Sequence, residues 1–420
     1  MVLALDVTPD LLDVVQRARE AASELAALPG NIRSAALLSM AKAMVEHQDR
    51  ILEANTLDLE TSREMAVPDL ILEWLRLTPE RVQSTVQILN RLAETPDPLQ
   101  QLINVPYQVT AGQTYCRLMP LGVIALVYES FPELGAIAAG LSLRSGNSLI
   151  LRGGSEASQT NQAIAEILQI ALEDTRMPSG TLEFVFPDGG DSIRDLVTQD
   201  DSIDLVIPYG RTSLVQQVIR QASVPVLKTT IGNCYLYWSH PGSIDMARWI
   251  ILDSHRSEPD PVNAIEKVLV HQRQDPTSLQ SLWRSLREAG FKLRGDAELV
   301  QEFPDLALVE SEEWGTSYLT PTIAFKVVDS AEQAITWMNH YSSGHADALV
   351  TESYTESQKF ATHLNSATLF INSSPRFYRN PKQGSPVALG MSNQKGHHRG
   401  PITLNSLTTT KYIVQGSGSP

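Results

Sequence analysis

The chain has 420 residues, 42% of them hydrophobic and 19% charged. This excludes a mostly disordered chain, collagen and long coiled coil, and suits roughly two or three domains of about 100–200 residues each. Its 48 acidic residues against 33 basic ones give a net charge of −15, a field that repels phosphate backbones and excludes nucleic acid as the main partner. Only Cys116 and Cys234 supply thiols, so there is neither a disulfide framework nor a zinc-ligand spacing.

The amino-terminal stretch carries Asp6 and Asp10 and no basic segment, which makes it a poor signal peptide. Leu11, Leu12, Val15, Ala18, Ala22 and Leu25 then recur at helical spacing until Pro29-Gly30. A second helical run covers Arg33 to about Leu57. A third starts with Thr78 as N-cap, Pro79 at the first helical position and Glu80 in the first turn, with Val82, Val86 and Leu89 on one face. Pro96 and Pro98 close this region.

From about residue 117 the pattern changes. Leu121–Tyr128 reads as a strand, and it is the longest apolar run, far too short to span a bilayer. A soluble, cytoplasmic protein with no membrane partner is expected. Leu134–Leu143 reads as a small-residue helix and Asn147–Leu151 as a strand. Helix Thr160–Leu172, strand Leu182–Phe186, helix Ser192–Thr198 and strand Ile203–Pro208 follow. Such alternation indicates a parallel sheet with crossover helices. Val224–Leu227 and Tyr235–Trp238 are further strand candidates before a change of unit near residue 240. Beyond it, strands Ile265–His271, Thr322–Val328 and Leu369–Asn372 alternate with helices Ser278–Ala289 and Ala331–His340. Ser374 to Gly400, rich in Pro, Gly, Ser, Asn and basic residues, reads as a long functional or oligomer-contacting loop.

The phosphate-loop, dinucleotide, zinc-protease and nucleophile-elbow motifs are all absent. Leu151-Arg-Gly-Gly-Ser-Glu156 follows a strand and precedes a helix. Its glycines permit close backbone approach and Arg152 offers a cation for a phosphate; the plain alternative is a tight turn. His397, His398 and Arg399 beside Lys395 suggest an anion or carboxylate site or a subunit contact; the alternative is a solvated loop. Neither cysteine promises both exposure and a lowered pKa, and Cys234 reads as a small buried thiol.

Several stretches together resemble one family. Pro120-Leu-Gly-Val-Ile with Tyr128-Glu129, Ser145-Gly-Asn-Ser-Leu-Ile-Leu-Arg-Gly-Gly-Ser-Glu156, Ile231-Gly-Asn-Cys234, Asn263-Ala-Ile-Glu266, Gly344-His-Ala-Asp-Ala348, Gln394-Lys395, Arg399-Gly-Pro401 and Leu407-Thr-Thr-Thr-Lys411 are similar, in order, to γ-glutamyl phosphate reductases of the aldehyde dehydrogenase superfamily. The resemblance implies an α/β fold with two α/β domains and a small oligomerisation β-flap. Residues 1–235 would hold the N-terminal helices and the cofactor-binding domain, 236–372 the catalytic-type domain, and 373–420, with about 100–119, the C-terminal loop and oligomerisation segment. It implies NADP(H), with Ser130, Arg152, Gly153, Gly154, Glu156, Gly210 and Ser317 at the cofactor and His397 and Arg399 at the substrate anion. It implies a homo-oligomer and, as a further partner, glutamate 5-kinase. The family reaction reduces L-glutamyl 5-phosphate to L-glutamate 5-semialdehyde and phosphate in proline synthesis. A cysteine thiolate attacks the acyl phosphate and hydride reduces the resulting thioester.

The departures from the family pattern fall at the chemistry. The nucleophile's place, directly before Asn263, is Val262, and valine forms no thioester. Phe131-Pro132-Glu133 replaces Arg-Pro-Asn, Tyr209-Gly210-Arg211 replaces Arg-Gly-Gly, Ser317 replaces a glutamate of the nicotinamide ribose site, and Ala388 replaces an acid. Two expectations follow. Either another nucleophile keeps the reaction, with Cys234 the only cysteine in the matched core, or activity is lost or altered. In the second case the chain is a non-catalytic paralogue, binding ligand or regulating the active reductase or the kinase.

Overall fold

The computed structural model describes residues 10–104, 113–187, 192–256, 261–381, 384–396 and 398–416. His397, and Glu258-Pro-Asp260 before the Pro261-Val262 turn, lie outside them. The described residues form two compact units: the first draws on Met1–Lys228, Arg379–Leu389 and Ile402–Pro420, the second on Thr229–Tyr378 and Gly390–Pro401.

Helices α1 (Leu11–Ala27), α2 (Gly30–Glu46), α3 (Gln48–Glu64), α4 (Asp69–Leu75) and α5 (Pro79–Glu94) open the first unit. Asp10 and Thr78 cap α1 and α5 through their side-chain oxygens, and Val82, Val86 and Leu89 are buried on one face of α5 as their spacing requires. The run expected from Arg33 to Leu57 is two helices, broken at His47 (φ −110°, ψ 19°). Apolar positions continue across this break with no Gly or Pro to mark it, so periodicity alone joins the two.

After β1 (Leu102–Asn104) and β2 (Gln113–Pro120), the units β3 (Val123–Tyr128), α6 (Glu133–Arg144), β4 (Ser148–Arg152), α7 (Ser158–Asp174), β5 (Leu182–Phe184), α8 (Ile193–Val197), β6 (Leu205–Tyr209) and α9 (Thr212–Gln221) follow. They build a parallel sheet of order β5-β4-β3-β6. Every residue of α6 is buried. A Cβ on Gly140 would stand 2.6 Å from Leu89 and 2.9 Å from Leu92, so α5 packing across α6 explains its small residues. The strand expected at Val224–Leu227 is an isolated bridge, Val206 to Val226, because Pro225 has no N–H with which to extend the ladder.

The second unit contains β7 (Cys234–Trp238), α10 (Ile244–Ser254), β8 (Ile265–His271), α11 (Pro276–Glu288), β9 (Lys292–Gly295), α12 (Ala297–Glu302), β10 (Ala307–Leu308), β11 (Thr322–Val328), α13 (Ala331–Tyr341), β12 (Ala346–Val350), α14 (Tyr354–His363) and β13 (Thr368–Ile371). Its sheet is parallel throughout, in the order β10-β9-β11-β8-β7-β12-β13. Alternate residues of β7 enter opposite cores: Cys234, Leu236 and Trp238 one, Tyr235 and Tyr237 the other. The stretch expected as one long loop contains an antiparallel pair, β14 (Met391–Asn393) with β15 (Arg399–Pro401). Finally β16 (Thr408–Gln415) returns to the first unit and pairs antiparallel with β2.

Candidate active site

In the first unit, Ser130, Arg152, Gly153, Gly154, Glu156 and Gly210 lie where β3, β4 and β6 end. Ser130 has a left-handed backbone (φ 58°), and its N–H and hydroxyl both donate to Glu156 Oε1, at 2.7 and 2.8 Å. A Cβ on Gly154 would stand 2.3 Å from the Glu156 carboxylate, and one on Gly153 would stand 2.1 Å from Asn161 Nδ2. These glycines make room for the protein's own side chains. Gly210 (φ 145°) does the same for Glu129. Arg152 Nη1 donates to Gly153 O at 2.7 Å, and Arg211 pairs with Glu129 through Nε and Nη2 at 3.0 and 2.9 Å. Both arginines near this turn are therefore engaged internally.

In the second unit, Val262 and Asn263 are the central residues of a turn closed by Ala264 N–H donating to Pro261 O at 3.2 Å. Val262 is fully buried. Its carbonyl accepts from Gly232 N–H at 2.9 Å and lies 2.7 Å from His345 Nε2. Asn263 Nδ2 donates to Pro375 O at 2.8 Å, and its Oδ1 is buried without a partner among the described residues. Glu266, also fully buried, accepts from the backbone N–H groups of Asn233, Tyr318 and Leu319 at 2.8, 2.9 and 2.7 Å. One carboxylate thus ties the 231–234 turn to the 315–320 loop. Burial pushes its carboxyl upward, against the opposing pull of Lys267 and those N–H groups. Lys267 Nζ donates to Thr316 O at 3.1 Å and sits 3.5 Å from the centre of the Tyr318 ring; burial lowers its pKa to about 8. Ser317 Oγ is committed to Ile231 O at 2.8 Å.

Cys234 is fully buried, with Sγ 3.4 Å from His345 Nε2. A carbonyl oxygen only accepts, so the short contact to Val262 O requires that Nε2 carry a proton. Burial pushes the thiol well above its ordinary pKa, and Asp347 and Glu266 push it further.

Residues 6–232 match the aldehyde dehydrogenase family. Over 98% of both chains, the sequence is 50% identical to "Gamma-glutamyl phosphate reductase 2" of Synechocystis sp.. It is 38% identical to a γ-glutamyl phosphate reductase of Gloeobacter violaceus over 96% of each. The crystal structure of γ-glutamyl phosphate reductase from Thermotoga maritima superposes with a TM-score of 0.88 at 30% identity, covering 98% of this chain and 100% of that one. The chain belongs to the γ-glutamyl phosphate reductase family.

The aldehyde dehydrogenase-like α/β fold implied by the sequence is therefore present. Within it, the residues that the resemblance marks as departures are well packed. Phe131 is fully buried, stacked on Trp74 at 4.7 Å and edge-on to Tyr209 at 5.6 Å. Glu133 is buried and paired with Arg81. Ala388 is buried, its N–H donating to Arg379 O at 3.0 Å. Arg399 donates to Asn365 O, and His398 Nε2 lies 3.0 Å from Pro401 O. Sequence reasoning missed the roles of His345, Lys267 and the Glu129–Arg211 pair. His345 lies inside a stretch that carries the family resemblance, but no spacing rule announces its ring against residue 262. Among the described residues, no helix is long and apolar enough to cross a membrane.

Proposed function

We propose that this chain keeps the scaffold of the proline-synthesis reductase and has lost its thiolate chemistry. The observation that carries this reading is Val262, which stands directly before Asn263 where the family places its nucleophile. It sits in a closed turn, and Cys234 Sγ, 4.0 Å from its carbonyl oxygen, belongs to a buried thiol held well above its ordinary pKa. Removing a covalent nucleophile costs many powers of ten in rate. The family's NADP(H) is held weakly: Arg152 at the end of β4 is engaged by Gly153 O, Arg211 after β6 is engaged by Glu129, and Ser317 offers a hydroxyl where a carboxylate would hold ribose. The chain then serves as a non-catalytic paralogue, a ligand-binding or regulatory partner of the active reductase or of glutamate 5-kinase. The packing of Phe131 and Glu133 against Trp74 and Arg81 supports this, since an intact core is what a binding role still requires. The numeral in the name of the Synechocystis relative fits a family with more than one copy.

The test is the family reaction run in reverse: purified full-length chain, glutamate 5-semialdehyde, phosphate and NADP⁺, with formation of the reduced cofactor as readout. No phosphate-dependent reduction is expected. Turnover that survives Cys234→Ser means a different nucleophile. Turnover abolished by that change in a folded protein makes Cys234 the nucleophile. Either result overturns the non-catalytic reading.

A further inference from the structure

Val262 has no reactive group, yet its peptide is held from two sides. Gly232 N–H reaches its carbonyl from the 231–234 turn, and His345 Nε2 reaches it from the segment leading into β12. The far side of the imidazole is oriented as well. Ser343 Oγ lies 2.9 Å from Nδ1 and 3.1 Å from Asn233 O, and Asn393 Nδ2 donates to Ser343 O at 2.5 Å. The segment itself is anchored by Asp347, which accepts from Ser342 Oγ at 2.8 Å and from Tyr235 N–H at 2.7 Å. His345 is fully buried. A buried imidazole is costly unless both nitrogens are bonded, whereas an aliphatic side chain would fill the same space freely.

We propose that His345 is a positioning residue for position 262. Its ring, oriented by Ser343, clamps the carbonyl of residue 262 and sets the direction in which that residue's side chain leaves the backbone. The inference rests on reading position 262 as the family's reacting position. It means that the clamp holds a residue without a reactive group, and that Cys234 is bystander packing beside it.

The test uses the full chain and needs no turnover. Selectively ¹⁵N-labelled histidine reports the protonation of each ring nitrogen, with His345→Gln assigning the signal. A protonated Nε2 is expected; an unprotonated Nε2 overturns the proposal. In hydrogen exchange, His345→Leu should speed exchange about tenfold in peptides covering Gly232 and residues 261–266 while the remaining strands keep their protection. His345→Gln, which still offers an N–H, should return exchange to within about threefold of wild type. Unchanged exchange in the leucine variant, or a uniform rise across the second unit that glutamine does not correct, overturns the proposal. Should the leucine variant fail to fold, the nitrogen spectrum alone decides. Turnover by the wild-type chain would defeat the reading of Val262 without altering either measurement.

Discussion

Arg81 and Glu133 form a buried ion pair in the first unit. Arg81 Nη2 stands 2.6 and 2.7 Å from the two carboxylate oxygens, with side-chain exposures of 13% and 5%. The same nitrogen donates to Trp74 O at 3.1 Å, and Trp74 is the ring on which Phe131 stacks. Glu133 is thus an internal tie between α4, α5 and α6.

Glu133→Ala strands a buried guanidinium, so a loss of about 3–5 kcal/mol is expected. Arg81→Met combined with Glu133→Leu should cost much less, because no uncompensated charge remains. Urea unfolding of the two variants checks this. Equal losses would mean that the pair carries no coupling.

Val262→Cys should not restore appreciable turnover. Ser317 would still stand where the resemblance expects a glutamate, and residues acting as a unit are strongly non-additive. The reverse assay reads the result. Activity near that of an active family member would show that one residue silenced the site.

Calorimetric titration should give an NADPH dissociation constant weaker than about 0.1 mM. The charge-assisted bonds from a ribose-binding carboxylate, worth about 1.5–3 kcal/mol each, are missing at Ser317. Low-micromolar affinity would contradict the internal engagement of Arg152 and Arg211.

Asp347 gives a pH signature. Burial raises its carboxyl from the usual 3.8 to about 6, although Ser366, Tyr235 and Ser342 donate to it. An acid whose folded pKa is raised binds its proton more tightly in the native state. Its stability contribution is therefore present below about pH 4 and lost as pH rises through about 6. Relative to Asp347→Asn, which cannot ionise, the wild-type chain should lose on the order of 3 kcal/mol between these limits. Unfolding free energies of both proteins at pH 4, 5, 6 and 7 measure it. A flat difference would mean that the carboxyl is not shifted.

Much of this was determined by the sequence alone. The strands Ile265–His271 and Thr322–Val328 have the expected bounds, because Val268-Leu-Val270 and Ile323-Ala-Phe325 supply the apolar cores that a strand covered on both faces needs. The cap of α5 was legible from Thr78-Pro79-Glu80 because capping is local chemistry. Val262, directly before Asn263-Ala-Ile-Glu266, was visible as a single letter in an otherwise matching stretch.

What needed the tertiary structure was every relation between distant segments. The break at His47, the pairing of Glu133 with Arg81 across 52 positions, and the carbonyl of Val262 held by a histidine 83 positions away leave no periodic mark. The same holds for Cys234: the sequence marked it as buried, and only the fold placed its sulfur 3.4 Å from His345 Nε2. Local patterns report which face of an element is apolar. Which polar groups meet in the interior depends on how the elements pack, because a buried donor is satisfied by whichever acceptor the fold brings within reach.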